Sequence, residues 1–125
     1  MISKEEISSA KLRTKYSLDS QLHQHDDCVR IAYEWLDAQK KIKNSAKKPF
    51  GLKHLIENWA GRYVSNSDVC VAAELHPDID GKYPFFNISS RLTEPSLQRL
   101  NGIGEAMKHK NYRDSHDEKA YKMHE

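Results

Sequence analysis

Between residues 22 and 42 apolar side chains recur mostly in steps of three and four: Leu22, Cys28, Val29, Ile31, Ala32, Trp35, Leu36 and Ile42. That spacing stacks them on one face of a helix. Ser17-Leu18-Asp19-Ser20 precedes the pattern. Asp19, Asp26 and Asp27 fall early in it, and Lys40, Lys41 and Lys43 fall late, the polarity that suits the helix macrodipole. Trp35 offers a large area to bury. The pattern therefore predicts a central scaffold helix.

Other segments follow the same logic. Ser3-Lys4-Glu5-Glu6 has capping-box spacing and predicts a short helix over about 4–15. Its few apolar positions, Ile7, Ala10 and Leu12, suit an arm docked on the body or on a second copy of the chain. Asn44 to Pro49 is a polar break. Leu52, Leu55, Ile56, Trp59 and Tyr63 then form one stripe, which predicts a helix over about 51–61 with Gly61 as terminator. Ser65 and Asp68 are spaced as a second capping box. They open a helix over 66–76 with Val69, Ala72, Ala73 and Leu75 inward, stopped by Pro77.

Asp80-Gly81 predicts a hairpin tip. Tyr83, Phe85, Phe86 and Ile88 favour strands, and Pro84 places theirs at an edge. Tyr83-Pro84-Phe85-Phe86 could stack on bases of single strands, but the run is expected rather to pack against Trp35 and Trp59. Pro95 predicts the start of a last helix whose inner face is Leu97, Leu100, Ile103, Gly104 and Met107. Beyond Lys108 the chain is charged and poor in aliphatics, which predicts an exposed tail. The expected architecture is mainly α with a small β-hairpin. Residues 1–110 make a single compact domain with an N-terminal arm over 1–16, and 111–125 a charged tail or linker.

Composition adds little to this, but charge distribution adds something. The 125 residues are 38% hydrophobic and 30% charged, with a formal net charge of +2. The basic residues are segregated. Lys40, Lys41, Lys43, Lys47, Lys48 and Lys53 occupy 38–53 without an acid. Lys82, Arg91, Arg99, Lys108, Lys110 and Arg113 dominate 82–113. Folding can turn such segregation into a basic face. Cys28 and Cys70 sit in apolar helical contexts and read as buried thiols of a reducing compartment. No apolar run approaches the ~18 residues a membrane span needs. The N-terminus has no apolar core of a secretory signal. A cytoplasmic chain without a membrane partner is expected.

Two chemistries compete for the remaining polar residues. A helix pair joined by a short polar turn can place a helix N-terminus in the major groove. Here Ser65, Asn66 and Ser67 would face bases, with Glu74 and His76 further along. Lys47, Lys48, Lys53, Arg62, Lys82, Arg91 and Arg99 would contact phosphates. The same order also describes an ordinary helical hairpin in a small α+β domain. The rival is a metal-dependent nuclease. His23 and Asp27, at i and i+4 on a helix, together with His25, could hold a metal, with His54, His76 or His116 as a further ligand. A helix start with dipole-friendly acids explains that run equally well. Phosphate loops, nucleophile elbows and paired-cysteine zinc motifs are missing, and no cofactor is expected.

From about Leu52 to Leu92 the order of helix, turn, helix and hairpin resembles winged helix-turn-helix DNA-binding domains of phage, plasmid or satellite replication and regulatory proteins. The resemblance implies a non-enzymatic double-stranded DNA-binding protein of a mobile element. It would act as a homodimer on a repeated or palindromic site, in replication-origin binding or transcription regulation. The alternative partner is a protein, for which the acidic 19–37 segment or the charged tail would be the contact surface of a small inhibitor.

Overall fold

A computed structural model describes residues 1–16, 21–44 and 51–125. Four α-helices are formed: α1 (Lys4–Arg13), α2 (Asp26–Ala38), α3 (Leu52–Ala60) and α4 (Asn66–Leu75). The predicted helix entry at Ser17–Ser20 and most of the polar break before α3 lie outside the described residues.

The capping boxes form as their spacing requires. Ser3 and Glu6 exchange hydrogen bonds at the start of α1, and Ser65 and Asp68 do so at the start of α4. The central helix begins later than its apolar pattern suggested. His25 caps it by accepting from the Asp27 amide at 2.9 Å, so His23 precedes the helix. α3 ends at Gly61, which adopts φ +61°. A Cβ there would meet Met107 Sδ at 2.8 Å. The Met107 and His109 amides donate to the Ala60 and Gly61 carbonyls, both at 2.8 Å, and so complete the exposed end of α3.

The core lies where α2, α3 and α4 meet. Trp35 and Trp59 are fully buried with Ile31, Leu36, Leu52, Ile56, Val64 and Val69. Each indole takes on the order of 200 Å² out of water, worth on the order of 5 kcal/mol. Each N–H also finds a partner: Trp59 Nε1 donates to the Pro95 carbonyl at 2.9 Å, and Trp35 Nε1 to the Tyr121 hydroxyl at 3.0 Å. α1 docks on this body, burying Ile7 and Ala10 and joining α4 through an Arg13–Glu74 ion pair.

The hairpin forms with its tip displaced. β1 (Gly81–Lys82) pairs antiparallel with β2 (Phe85–Phe86), Gly81 opposite Phe86 and Lys82 opposite Phe85. The connection is therefore Tyr83-Pro84, joined by a cis bond, and not Asp80-Gly81. Asp80 is held inside the ladder: its amide donates to Asn87 Oδ1, and its carbonyl accepts from the Asn87 amide. An antiparallel bridge sets Lys41 opposite Ile88, with Ile42 N–H on the Asn87 carbonyl and Ser89 N–H on the Lys40 carbonyl, both 2.8 Å. Residues 85–89 thus lie between 80–82 and 40–42, and Pro84 sits in the turn.

Two expectations for the C-terminal third are corrected. The helix predicted after Pro95 is only a 3₁₀ turn over Leu97–Leu100. Gly102 (φ +85°) and Met107 (φ +64°) then take left-handed conformations that no α-helix accommodates. The segment predicted as an exposed charged tail folds back. Residues Lys110–Ser115 and Glu118–Ala120 form 3₁₀ turns, and β4 (Met123–His124) pairs in parallel with β3 (Thr93–Glu94). Tyr121 anchors it, buried against Trp35. Glu94 accepts from His116 Nε2 at 2.5 Å and from His124 Nδ1 at 2.6 Å. Arg99 holds Glu125 by two hydrogen bonds of 2.7 Å.

Tyr121→Phe removes the partner of a buried indole N–H. It is expected to cost about 1–3 kcal/mol, read as a lower urea midpoint at unchanged m-value. The Arg99 hydrogen bond outweighs burial and holds the Glu125 carboxyl below the ordinary 4.5. A depressed folded-state pKa gives stabilisation that is complete above the unfolded value and lost as pH falls through the folded one. Glu125→Gln should therefore be less stable than the parent at pH 7. The gap should close under acid, below the ordinary carboxylate range, in urea titrations at each pH.

Candidate nucleic-acid interface

The start of α4, expected to face bases, is covered. Ser65 and Ser67 are buried and Asp68 has no exposed surface. Ser65 Oγ accepts from the Asp68 amide at 3.1 Å, and Ser67 Oγ accepts from the Leu22 amide at 3.2 Å. The Asp68 carboxylate takes His23 Nδ1 at 2.9 Å and the Gln24 amide at 3.1 Å. Residues 21–24 are thereby pinned over the helix start. Asn66 is half-buried, its Oδ1 accepting from the Tyr83 hydroxyl at 2.9 Å. The rest of α4 follows: Val69, Cys70, Val71, Ala72 and Ala73 are all buried, between α2 on one side and α1 on the other. Glu74 is tied to Arg13, and buried His76 bonds Asp37 at 2.8 Å. The assignment of α4 as a reading helix is corrected on these grounds. Its residues are packing residues, and its polar start is consumed by local hydrogen bonds.

Three of the expected phosphate contacts are also internal. Lys53 neutralises buried Glu57 at 3.0 Å and lies over the Tyr63 ring. Arg62 is buried and binds Glu105 and the Tyr63 carbonyl. Arg99 faces Glu34, Asp37 and Glu125 together. Lys47 and Lys48 lie outside the described residues. Lys82 and Arg91 are exposed, as are Lys40 and Lys43.

The metal reading is not supported by geometry. His23 lies between Asp68 and the Tyr16 hydroxyl (3.0 Å), while His25 is spent as the cap of α2. Asp27 binds Arg30 at 2.6 Å and the Glu105 amide at 3.2 Å. Of the suggested further ligands, His54 is exposed beside Glu57 and His116 binds Glu94. Among the described residues, no group of three or more His, Cys, Asp or Glu is placed to hold a metal ion. The cysteines do match expectation: both are buried, no disulfide joins them, and burial pushes the Cys28 thiol up to about 12. Among the described residues, no helix is long and apolar enough to cross a membrane.

What the fold brings together is the layer of three extended segments. Register fixes its two faces, since side chains alternate with period two. Phe86 and Ile88 point into the core. The opposite face carries Phe85 and Ser89 in the middle segment, Lys40 and Ile42 on one side, and Asp80 and Lys82 on the other. Asn87 belongs to this row but is buried, its side-chain amide bonding the Asp80 amide and the Ile42 and Asp78 carbonyls. It staples the three segments. Phe85 is 40% exposed and Ile42 38%. Lys40 and Lys82 lie on this face, and Lys43 and Arg91 are exposed just beyond the segments that form it. They take no part in the ion pairs found among the described residues. The alternation was legible in the sequence from residue 85 on, but the side-by-side placement of residues 40–43 and 87–91 was not.

Comparison with known proteins gives no further constraint: no family model, no curated protein and no solved structure matches the chain.

Because Ser65 Oγ serves as a helix cap, Ser65→Ala should lower stability by about 0.5–2 kcal/mol. It should leave any nucleic-acid affinity of the folded protein unchanged. Paired urea and fluorescence-anisotropy titrations separate the two effects.

Proposed function

We propose that the chain is a non-enzymatic double-stranded DNA-binding protein that grips phosphates with the rim of its three-segment layer. The observation that carries this reading is the Lys41–Ile88 bridge. It joins the two acid-poor stretches of the sequence into one layer, with Lys40 and Lys82 on its outer face and exposed Lys43 and Arg91 just beyond the ends of its segments. Phosphate contact needs accessible positive charge more than defined base geometry, and these four side chains are exposed.

Topology adds support. A helix (α2), an extended segment (40–42), two helices (α3, α4) and two strands (β1, β2) follow in order, the first extended segment pairing beside the last strand. That is the order of a winged helix, with 80–89 as the wing. The departure is α4, which lies inside the molecule. In this reading the wing and its basic rim make the DNA contact, and the protein serves replication-origin binding or transcription regulation. Nearly all of the affinity comes from charge.

Four phosphate contacts imply a slope of about −3.6 in log K against log salt, at about −0.9 per contact on a duplex. Fluorescence anisotropy with a labelled duplex across a salt series measures it. Replacing Lys40, Lys43, Lys82 or Arg91 by Ala should each flatten the slope by about 0.9. Absence of duplex binding at low salt would remove the proposal.

A further inference from the structure

We infer that Phe85 and its surroundings form a stacking platform for an unpaired base, so the DNA preferred by this face contains a single-stranded segment. The inference rests on the proposed phosphate-binding rim and goes beyond it.

Phe85 and Phe86 are adjacent and chemically identical, yet only Phe86 enters the core. Phe85 stands on the outer face, directly across the ladder from Lys82. On the other side of the middle segment lie Ile42 and Lys40, placed on that face by the Ile42–Asn87 and Ser89–Lys40 hydrogen bonds. An aromatic ring is thus left open to solvent on a face that has lysines on both flanks. The support beneath it is rigid. The Asn87 amide ties the three segments together, and Phe86 and Ile88 anchor the middle one from below.

Charge argues for the occupant. A protein partner seated on Phe85 and Ile42 would have to desolvate Lys40 and Lys82. A nucleic-acid strand places phosphates against those lysines while a base covers the ring. Proteins that bind single strands use this pairing of a cationic track with an aromatic surface, and each base–aromatic stack is worth about 1–3 kcal/mol by alanine substitution. In a fully paired duplex the base faces are closed off by stacking, so Phe85 gains nothing there. A base released at a gap, fork or bulge can cover the ring. Asp80, an acid on this face, lies on the far side of the middle segment from Lys40, which favours a strand running along 85–89 towards Lys40.

The test compares four labelled probes by fluorescence anisotropy at low and moderate salt. They are a paired duplex, the same duplex with a short single-stranded gap, an oligothymidylate and an oligouridylate. The gapped duplex should bind tighter than the paired one. Phe85→Ala should weaken gapped binding by about 5- to 150-fold, the equivalent of one lost stack, and leave the paired duplex unchanged. Phe85→Trp should retain the preference, and unchanged thermal midpoints confirm that both variants fold. Tighter binding of the oligouridylate than of the oligothymidylate would support the platform and identify RNA as its source of unpaired bases. Equal affinity for gapped and paired duplex, or a Phe85→Ala variant that binds all probes like the parent, would overturn the platform and leave the phosphate-binding rim standing. Failure of every probe to bind would overturn both.

Discussion

The buried carboxylate of Asp68 is the constraint on which the rest of the arrangement depends. An acid with no exposed surface is costly unless donors replace its water. Here three donors come from two parts of the chain: the Ser65 amide of its own capping box, and the His23 ring and Gln24 amide of the segment before α2. Satisfying Asp68 therefore does more than start α4. It draws the segment that leads into α2 across the end of α4 and closes that end to solvent. With α2 packed along one side and α1 along the other, α4 becomes the interior helix. Its small residues, Cys70, Ala72 and Ala73, suit that position, because small side chains let neighbouring helices approach closely.

Once α4 is interior, the charges must be sorted differently from the linear sequence. Several basic residues that read as a solvent-facing patch neutralise acids that folding has placed beside them. Glu57 is 1% exposed and would be an uncompensated buried charge without Lys53. Arg62 and Glu105 pair across the α3 terminus, and Arg99 gathers Glu34, Asp37 and Glu125. Those cations stabilise the fold and have little left to offer a phosphate. Lys40, Lys43, Lys82 and Arg91, in or beside the three-segment layer, carry no such duty and stay exposed, as do Lys4, Lys15, Lys108, Lys110, Lys119 and Lys122 elsewhere.

How much of this was legible depended on whether the signal was local. The spans of α1, α3 and α4 were, because capping boxes, apolar periodicity and Gly61 act within a few residues; α2 is shorter at both ends than its apolar pattern, since Leu22 and Ile42 lie outside Asp26–Ala38. The interior position of α4 was visible in principle. Val69 to Ala73 is an unbroken apolar run, and a helix apolar all round is buried on every side. The exposed-start reading weighted Ser65, Asn66 and Ser67 over that run. The tail was not legible, since one residue, Tyr121, anchors a highly charged stretch, and its partner Trp35 is far away in sequence. The helix expected after Pro95 failed on Gly102 and Met107, whose backbone conformations are set by the contacts that cap α3. At the candidate site, alternation separates Phe85 from Phe86 but cannot say which faces inward. That is decided by the Asn87 staple and by the pairing with residues 40–42, both long-range.

A layer rim and an interior helix differ in what they can recognise. A helix N-terminus in the major groove reads donor and acceptor patterns directly. Lysines on the edges of extended segments meet phosphates, which carry the same charge at every step. Selectivity at such a surface must then come from the shape of the nucleic acid or from bases outside the stack. In the proposed complex, Phe85 is the outer-face side chain that would distinguish a free base from a paired one, because its ring needs an open base face and the lysines beside it do not. Sequence discrimination at this surface is therefore expected to be slight, and discrimination by strand state to depend on a single aromatic side chain.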